Sequence, residues 1–227
     1  MSSLLLHGPL LGPNGDHGTG HPRPFLEPTV KHIIIMPNWS FTNYAIIGDR
    51  KEVKSLYKKM KRLEEMPEPL LPNGFGTSWL GCLVKTLGAD PQAVYCRGMW
   101  QNLEFSDEGR LTFDVEHAWS RPDEVEDLIR KKYPSLSIFF LEEELGMGIF
   151  QTNDACGEYF PETIILDDEQ EGMEYYTEAA ALERISELKG TPVADWTEAE
   201  DFIEKLNLAQ DAAGTDGHIW LHRADVC

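Results

Sequence analysis

The sequence is poor in basic residues and in cysteine, and it contains no long hydrophobic run. Its 227 residues include 20 lysines and arginines against 39 aspartates and glutamates, a formal net charge of −19. This excess disfavours nucleic acid and anionic membranes as partners, and it favours solubility or a basic protein partner. No apolar run approaches the roughly 20 residues that cross a bilayer, so we expect a soluble protein.

The four cysteines show neither a C-x-x-C pair nor a regular series of spacings. This favours reduced thiols in a cytoplasmic setting over a disulfide scaffold or a zinc cluster. The sequence also lacks a Walker loop, a G-x-G-x-x-G before a helix, a G-x-S-x-G elbow and an H-E-x-x-H zinc motif. We therefore predict a protein that is not an enzyme and that has neither a cofactor nor a metal ion.

Single reactive side chains do not form a recognisable catalytic set. Asp114 and Glu116 fall on the outer face of one predicted strand, where two carboxylates are usually ordinary surface residues. His117 points to the opposite face and is predicted to be a hydrogen-bonded core residue. Cys96 lacks a paired histidine that would act as its base. His218 and His222 lack a third metal ligand.

The order of the predicted elements indicates the fold class. Periodicity and turn residues predict a strand at 39–47, a helix at 50–65, a hairpin at 94–119, a helix at 121–132 and a strand at 136–142. The order β-α-β-β-α-β is typical of the α+β ferredoxin-like sandwich, an antiparallel sheet with helices on one face. A further short helix is predicted at 79–87.

Composition divides the chain into three regions. We predict a poorly structured tail over 1–35, a ferredoxin-like domain over 36–165, and an acidic, partly helical C-terminal extension over 166–227. The last strand of the domain is predicted at 159–166. The extension is predicted to contain an acidic loop at 167–174, helices at 177–188 and 195–208, and a closing strand at 218–222. We expect it to pack on the domain, because the apolar faces of its helices are too narrow to fold alone.

A set of short motifs accompanies these elements. They are MPNW at 36–39, Trp100, AWSRP at 118–122, KKYPSL at 131–136 and EEELGMGIF at 142–150. In this order they resemble the YubB-type ferredoxin-like family of conjugative plasmid and phage proteins. The resemblance covers about residues 36–165, and Ser40 stands where the family typically has cysteine. It implies a mobile-element origin and a cytoplasmic protein, and it provides no catalytic residue.

The motif residues are predicted to have structural roles. Ser120 and Asp123 form a capping-type pair for the helix predicted at 121–132, and Pro122 fits the first turn of that helix. Gly146 and Gly148 indicate a turn, because the lysine and helix start of a phosphate loop are missing. The tryptophans are predicted to pack in the core, the alternative being a stacking surface for single-stranded nucleic acid: Trp39, Trp100 and Trp119.

The negative charge is concentrated near the C-terminus. Residues 158–211 contain 16 acidic residues and three basic ones, a net charge of −13. One interpretation is an acidic surface that only keeps the protein soluble. The functional hypothesis is a recognition surface for a basic protein, in its sharpest form a carboxylate array that mimics DNA phosphates before a host nucleic-acid-binding or defence protein. The predicted contact residues are Asp167, Asp168, Glu169, Glu171 and Glu174.

Two alternatives stay open. The helix at 50–65 carries a basic patch that is either a solvated face or a docking site for single-stranded nucleic acid or an acidic partner: Arg50, Lys51, Lys54, Lys58 and Lys61. An enzyme with an unrecognised site would need a deep pocket that joins His117, Cys96 or Glu142–Glu144. The partner and the oligomeric state do not follow from the sequence.

Overall fold

A computed structural model describes residues 38–227, and the tail predicted over 1–35 lies outside this part of the chain. The described residues have an α+β fold and belong to one compact unit. The strands are β1 Trp39–Ile47, β2 Gly98–Phe105, β3 Leu111–Ala118, β4 Ser137–Glu144, β5 Ile149–Thr152, β6 Ile164–Asp168, β7 Gly172–Tyr176, β8 Ile219–Arg223 and β9 Asp225–Val226. The helices are α1 Arg50–Glu64, α2 Leu80–Leu87, α3 Asp123–Lys132, α4 Glu178–Lys189 and α5 Trp196–Ala213.

The larger sheet has six strands in the order β2-β3-β1-β4-β5-β9. β1 lies between β3 and β4 and is antiparallel to both, and β2 is antiparallel to β3. β5 is antiparallel to β4, and β9 returns from the C-terminus to pair with β5 in parallel. One face of the sheet packs with α1, α2 and α3 around a common hydrophobic core. The opposite face bears exposed side chains, among them Phe41 and Asn43.

The start and the buried face of α1 follow from its sequence. Asp49 caps the helix by accepting the N–H groups of Lys51 and Glu52 at 2.9 and 3.2 Å. The buried stripe predicted from helical spacing is confirmed: Val53, Leu56, Met60 and Leu63. Among residues 38–227, no helix is long and apolar enough to cross a membrane.

α3 begins later than predicted. Its cap position is Pro122, which makes no side-chain capping hydrogen bond. Two tight turns precede the helix, because the Ser120 N–H bonds the carbonyl of Ala118 and the Asp123 N–H bonds that of Arg121, both at 2.9 Å. These turns hold Ser120 outside the first helical turn, so the prediction that Ser120 caps α3 is wrong.

β6 begins later than the strand predicted at 159–166. The carboxylate of Asp154 accepts the N–H groups of Tyr159 and Phe160 at 2.6 and 2.9 Å, which holds this segment as a loop. Pro161 also lacks the N–H that a central strand would use. Regular pairing therefore starts only at Ile164.

The acidic stretch 167–174, predicted as a loop, is most of a β-hairpin. Asp168 accepts the N–H groups of Gln170 and Glu171 at 2.8 and 3.1 Å, a turn that aspartate favours. The chain therefore reverses after β6, and β7 pairs antiparallel with it. The loop prediction is wrong because strand pairing outweighs the low strand propensity of acidic residues.

Two predicted helices of the extension are confirmed as α4 and α5, and α5 continues to Ala213. Thr177 and Asp195 cap them by accepting the N–H groups of Ala180 and Glu198 at 3.3 and 3.0 Å. The helices cover the smaller sheet, β7-β6-β8, and enclose a second core: Leu166, Ile185, Ala199, Ile203 and Ile219. The predicted closing strand is β8.

Candidate functional site

The five predicted contact carboxylates share the β6–β7 hairpin, but most of them are used within the chain. Asp168 forms the turn, and Asp167 lies on β6 opposite Met173 and Trp220. The other three bond as follows: Glu169 with His218, Glu171 with Arg184 at 2.7 Å, and Glu174 with the hydroxyl of Tyr176. The hairpin is therefore acidic, but it does not present five free carboxylates.

His218 links this hairpin to the end of α5. Its Nδ1 lies 3.3 Å from the Glu169 carboxylate and its Nε2 lies 3.0 Å from Asp211. Glu169 also accepts the N–H groups of Gly217 and His218, at 2.9 and 3.2 Å. The hydrogen bonds to Glu169 and Asp211 raise the pKa of His218 above its ordinary value.

We expect His218 to stabilise the extension at low pH and to lose this effect as the pH rises. A histidine whose pKa is raised in the folded state stabilises fully below its unfolded pKa of about 6.5, and the stabilisation disappears as the pH rises through the raised pKa. NMR titration of the His218 ring should give a midpoint above the ordinary histidine value of about 6.5. Asp211→Asn should lower this midpoint, and a midpoint that Asp211→Asn leaves unshifted would contradict the linkage.

The basic patch predicted on α1 divides into two groups. Lys51, Lys54 and Lys58 line an open groove of about 720 Å³ together with Lys59 and Arg62. None of these five cations forms an ion pair with a carboxylate within residues 38–227. The groove is therefore a positive surface on a protein of strongly negative net charge.

The other two residues of that patch have partners outside the groove. Arg50 donates to the carbonyl of Asp107 and lies 5.5 Å from the ring centroid of Phe105. Lys61 pairs with Glu64 at 3.0 Å. Both cations are engaged in contacts that support α1, so they do not belong to the groove.

His117 is fully buried on the helix-facing side of β3. Its Nε2 hydrogen-bonds the hydroxyl of Thr42, on β1, at 2.8 Å. Burial lowers the pKa of His117 to about 4, so the ring is neutral at physiological pH. The prediction of a hydrogen-bonded core histidine is confirmed.

Arg121 joins two buried carboxylates beside His117. Its Nη1 pairs with Glu126, and its Nε lies 3.7 Å from Oε2 of Glu142. The side chains of Glu126 and Glu142 are only 5% and 2% exposed. The guanidinium also lies 3.8 Å from the ring centroid of Phe140. A shared cation therefore compensates two charges that folding removes from water.

Neutral donors bind the same carboxylate oxygens that face Arg121. Tyr44 donates to Glu126 at 2.9 Å, and Gln151 donates to Glu142 at 2.7 Å. Burial, followed by the charge of Glu126, raises the pKa of Tyr44 well above its ordinary value and keeps its hydroxyl a donor. The cluster connects β1, β3, β4 and β5 to α3, and its buried position suits a structural role.

Sequence reasoning missed most of this cluster, although a signal exists. Thr42 and Glu142 occupy inward positions of strands that also place apolar residues inward, such as Tyr44 and Phe140. A polar residue at an inward position needs a partner within the core. That partner, Arg121, could not be identified because it comes from a turn at the far end of β3.

The three motif tryptophans have different environments. Trp100 is buried, and its indole N–H donates to Glu64 at 3.0 Å. Trp39 and Trp119 are 37% and 43% exposed, so the expectation of core packing is wrong for these two. Trp119 has φ 71°, a conformation that bulky residues rarely adopt. The predicted turn at Gly146 and Gly148 is present as a 3₁₀ turn that ends with Gly148 in the left-handed region.

The open face of β3, β1 and β4 combines aromatic and acidic side chains. Phe41, 49% exposed, pairs in register with Glu116 on β3 and with Glu143 on β4. Asp114, predicted to share this face with Glu116, accepts the side-chain amides of Asn43 and Asn102 at 2.7 and 2.6 Å. This arrangement suits a cationic partner and disfavours the phosphates of a nucleic acid.

The remaining candidates are Cys96 and His222. Cys96 is buried, and burial raises the pKa of its thiol, which disfavours the thiolate. His222 pairs in register with Ile165 on the smaller sheet. Within residues 38–227, no group of three or more histidine, cysteine, aspartate or glutamate side chains is arranged to hold a metal ion.

Comparisons with known proteins do not add to this description. Comparison with models of protein families, with curated proteins and with solved structures finds no match to this chain. The function is therefore inferred from the charge, burial and geometry of the described residues, together with the motif resemblance.

Proposed function

We propose that this chain is a non-enzymatic accessory protein of a mobile genetic element that binds a basic protein partner through its acidic surface. The distribution of charge is the observation that carries this proposal. Residues 158–211 have a net charge of −13. Their three basic residues, Arg184, Lys189 and Lys205, all pair with carboxylates, so the surface potential of this segment is negative.

A ferredoxin-like core is part of this proposal. The order β2-β3-β1-β4, with antiparallel neighbours and with α1 and α3 on one face, supports it. α2, β5 and the C-terminal elements are then additions to that core. The motifs that resemble the YubB-type family support the mobile-element origin.

Mimicry of DNA is the sharpest form of the proposal. The acidic surface extends beyond the β6–β7 hairpin, because exposed carboxylates also lie on α4 and α5: Glu183, Glu187, Glu200, Asp201 and Glu204. A host protein that binds nucleic acid through lysines and arginines would meet a similar density of negative charge here.

We expect the purified chain to bind a fluorescent arginine-rich peptide and to release it as salt is added, because screening weakens exposed charge pairs. Fluorescence anisotropy from low to high salt measures this effect. The control is the same peptide with glutamine in place of arginine. An affinity that does not change with salt, or equal binding of the control peptide, would contradict the proposal.

The groove on α1 favours a second candidate, a single-strand nucleic-acid-binding module. Its five cations without ion-pair partners could follow a phosphate backbone. A labelled single-stranded oligonucleotide in the same assay separates the two functions. Binding near physiological salt that is lost in Lys54→Glu/Lys58→Glu would favour this candidate, and no binding would remove it.

A further inference from the structure

We propose that the open face of the larger sheet contains a binding site for an arginine side chain of the basic partner. The site, named the Phe41 site, consists of Phe41, Glu116 and Glu143, with Trp39 and Tyr175 beside them. This inference rests on the proposed function and assigns its principal contact to the sheet face instead of the β6–β7 hairpin.

Strand register brings the three central residues together. Phe41 is directly opposite Glu116 on one neighbouring strand and Glu143 on the other, so the three side chains lie on the same side of the sheet. Directly opposite residues in antiparallel strands have Cβ atoms about 5 Å apart. An aromatic ring therefore stands between two carboxylates in a row across β3, β1 and β4.

The aromatic side chains of the site are exposed without being isolated. Phe41, Trp39 and Tyr175 are 49%, 37% and 42% exposed. Trp39 lies two residues before Phe41 on β1, so both side chains are on the same face of the strand. The Trp39 ring contacts the Phe75 ring edge-on, with 6.4 Å between the ring centroids. Large aromatic side chains held in place but open to solvent are typical of protein-binding surfaces.

Tyr175 orients one of the carboxylates. Its hydroxyl donates to both oxygens of Glu143, at 3.0 and 2.8 Å. Burial and the hydrogen bond to Glu143 raise the pKa of Tyr175 to about 12, so the hydroxyl stays a donor. Each Glu143 oxygen keeps a further lone pair, and a cation from a partner can bind there.

Arginine fits this combination better than lysine does. Its planar guanidinium stacks on an aromatic face and donates two parallel hydrogen bonds to a carboxylate, whereas lysine presents a compact, strongly hydrated charge. The chain uses the same combination internally, because Arg121 lies over the Phe140 ring while it pairs with Glu126. The open face provides an equivalent ring and carboxylates with no arginine of its own within hydrogen-bonding distance among the described residues.

The test compares two double variants that remove the same amount of charge. Glu116→Gln/Glu143→Gln changes the Phe41 site, and Glu171→Gln/Glu174→Gln changes the hairpin. We expect the first to weaken binding of the arginine-rich peptide at least about tenfold and the second to weaken it less than about threefold. Thermal unfolding of each variant checks that it is folded.

Variants of the ring test the aromatic contribution. Phe41→Leu retains apolar contact but loses the π face, so we expect binding to weaken about threefold, whereas Phe41→Trp should bind at least as tightly as the unmodified chain. A peptide with citrulline, an uncharged arginine isostere, should lose binding. A peptide with lysine should bind more weakly than the arginine peptide.

The outcomes separate this inference from the proposed function. If only the hairpin variant loses binding, the proposed function stands and the Phe41 site is wrong. Equal binding of arginine and lysine peptides overturns the arginine assignment, and equal binding by Phe41→Leu and Phe41→Trp overturns the role of the ring. If the unmodified chain does not bind the arginine peptide, both proposals fall.

Discussion

Replacing Arg121 by methionine is expected to lower the free energy of unfolding by about 3 kcal/mol, because two buried carboxylates lose their shared cation. Methionine keeps most of the volume of the arginine stem, so the loss reports charge more than cavity formation. Glu142 retains a neutral donor, Gln151, at 2.7 Å, which does not replace the lost positive charge. Chemical denaturation measures the loss. The midpoint should fall, and the slope of the free energy of unfolding against denaturant concentration should stay unchanged.

Arg130→Met is the matched control for this experiment. Arg130 pairs with the same Glu126 at 3.0 Å, but its side chain is 40% exposed, so its removal should cost less than about 1 kcal/mol. Adding Glu126→Gln and Glu142→Gln to Arg121→Met should recover most of the stability, since no unpaired charge then stays buried. Equal losses for the two single arginine variants would show that Arg121 does not compensate the buried carboxylates.

Acidification is expected to destabilise the protein through His117. Its pKa is lowered to about 4 in the folded state, so the unfolded chain takes up a proton near pH 6.5 while the folded chain does not. The stabilisation is therefore complete above about pH 6.5 and is lost as the pH falls toward 4, about 3 kcal/mol in total. Between pH 6.5 and 5, where few carboxylates titrate, the slope should average about 1 kcal/mol per pH unit, below the limit of about 1.4 for a full proton.

His117→Gln isolates this effect, because glutamine retains hydrogen-bonding capacity but does not titrate. We expect the variant to be less stable than the unmodified chain at pH 7 and to show a flatter dependence between pH 6.5 and 5. His218→Gln is the opposite control: it removes a raised pKa and should steepen the loss of stability on acidification. The same pH slope in His117→Gln and in the unmodified chain would show that His117 is not the titrating group.

Local sequence signals predicted much of the fold. The buried stripe of α1 has helical spacing, and the inward positions Leu111, Phe113 and Val115 of β3 alternate with more exposed ones. These patterns are local, because each depends only on the geometry of one helix or strand. The predicted start of β6 is wrong because a side-chain hydrogen bond that the strand pattern does not show, from the N–H groups of residues 159 and 160 to the Asp154 carboxylate, holds these residues in a loop.

The candidate site was harder to predict because its residues meet only through strand pairing. Phe41, Glu116 and Glu143 come from three strands that are far apart in the sequence, and register alone makes them neighbours. The predicted acidic contact residues are distinguished only by their density along the chain. Density along the chain does not show that Glu171 and Glu169 are occupied by Arg184 and His218.

The sequence by itself determined the α+β class, the helical stripes and the segregation of charge, because periodicity and composition are properties of the chain alone. The tertiary structure decided which charges are free and which are paired. It places Arg121 between Glu126 and Glu142 in the core and leaves Phe41 between two carboxylates on the open face. The physical reason is that the energy of a charge depends on its solvent exposure and its neighbours, and long-range packing sets both.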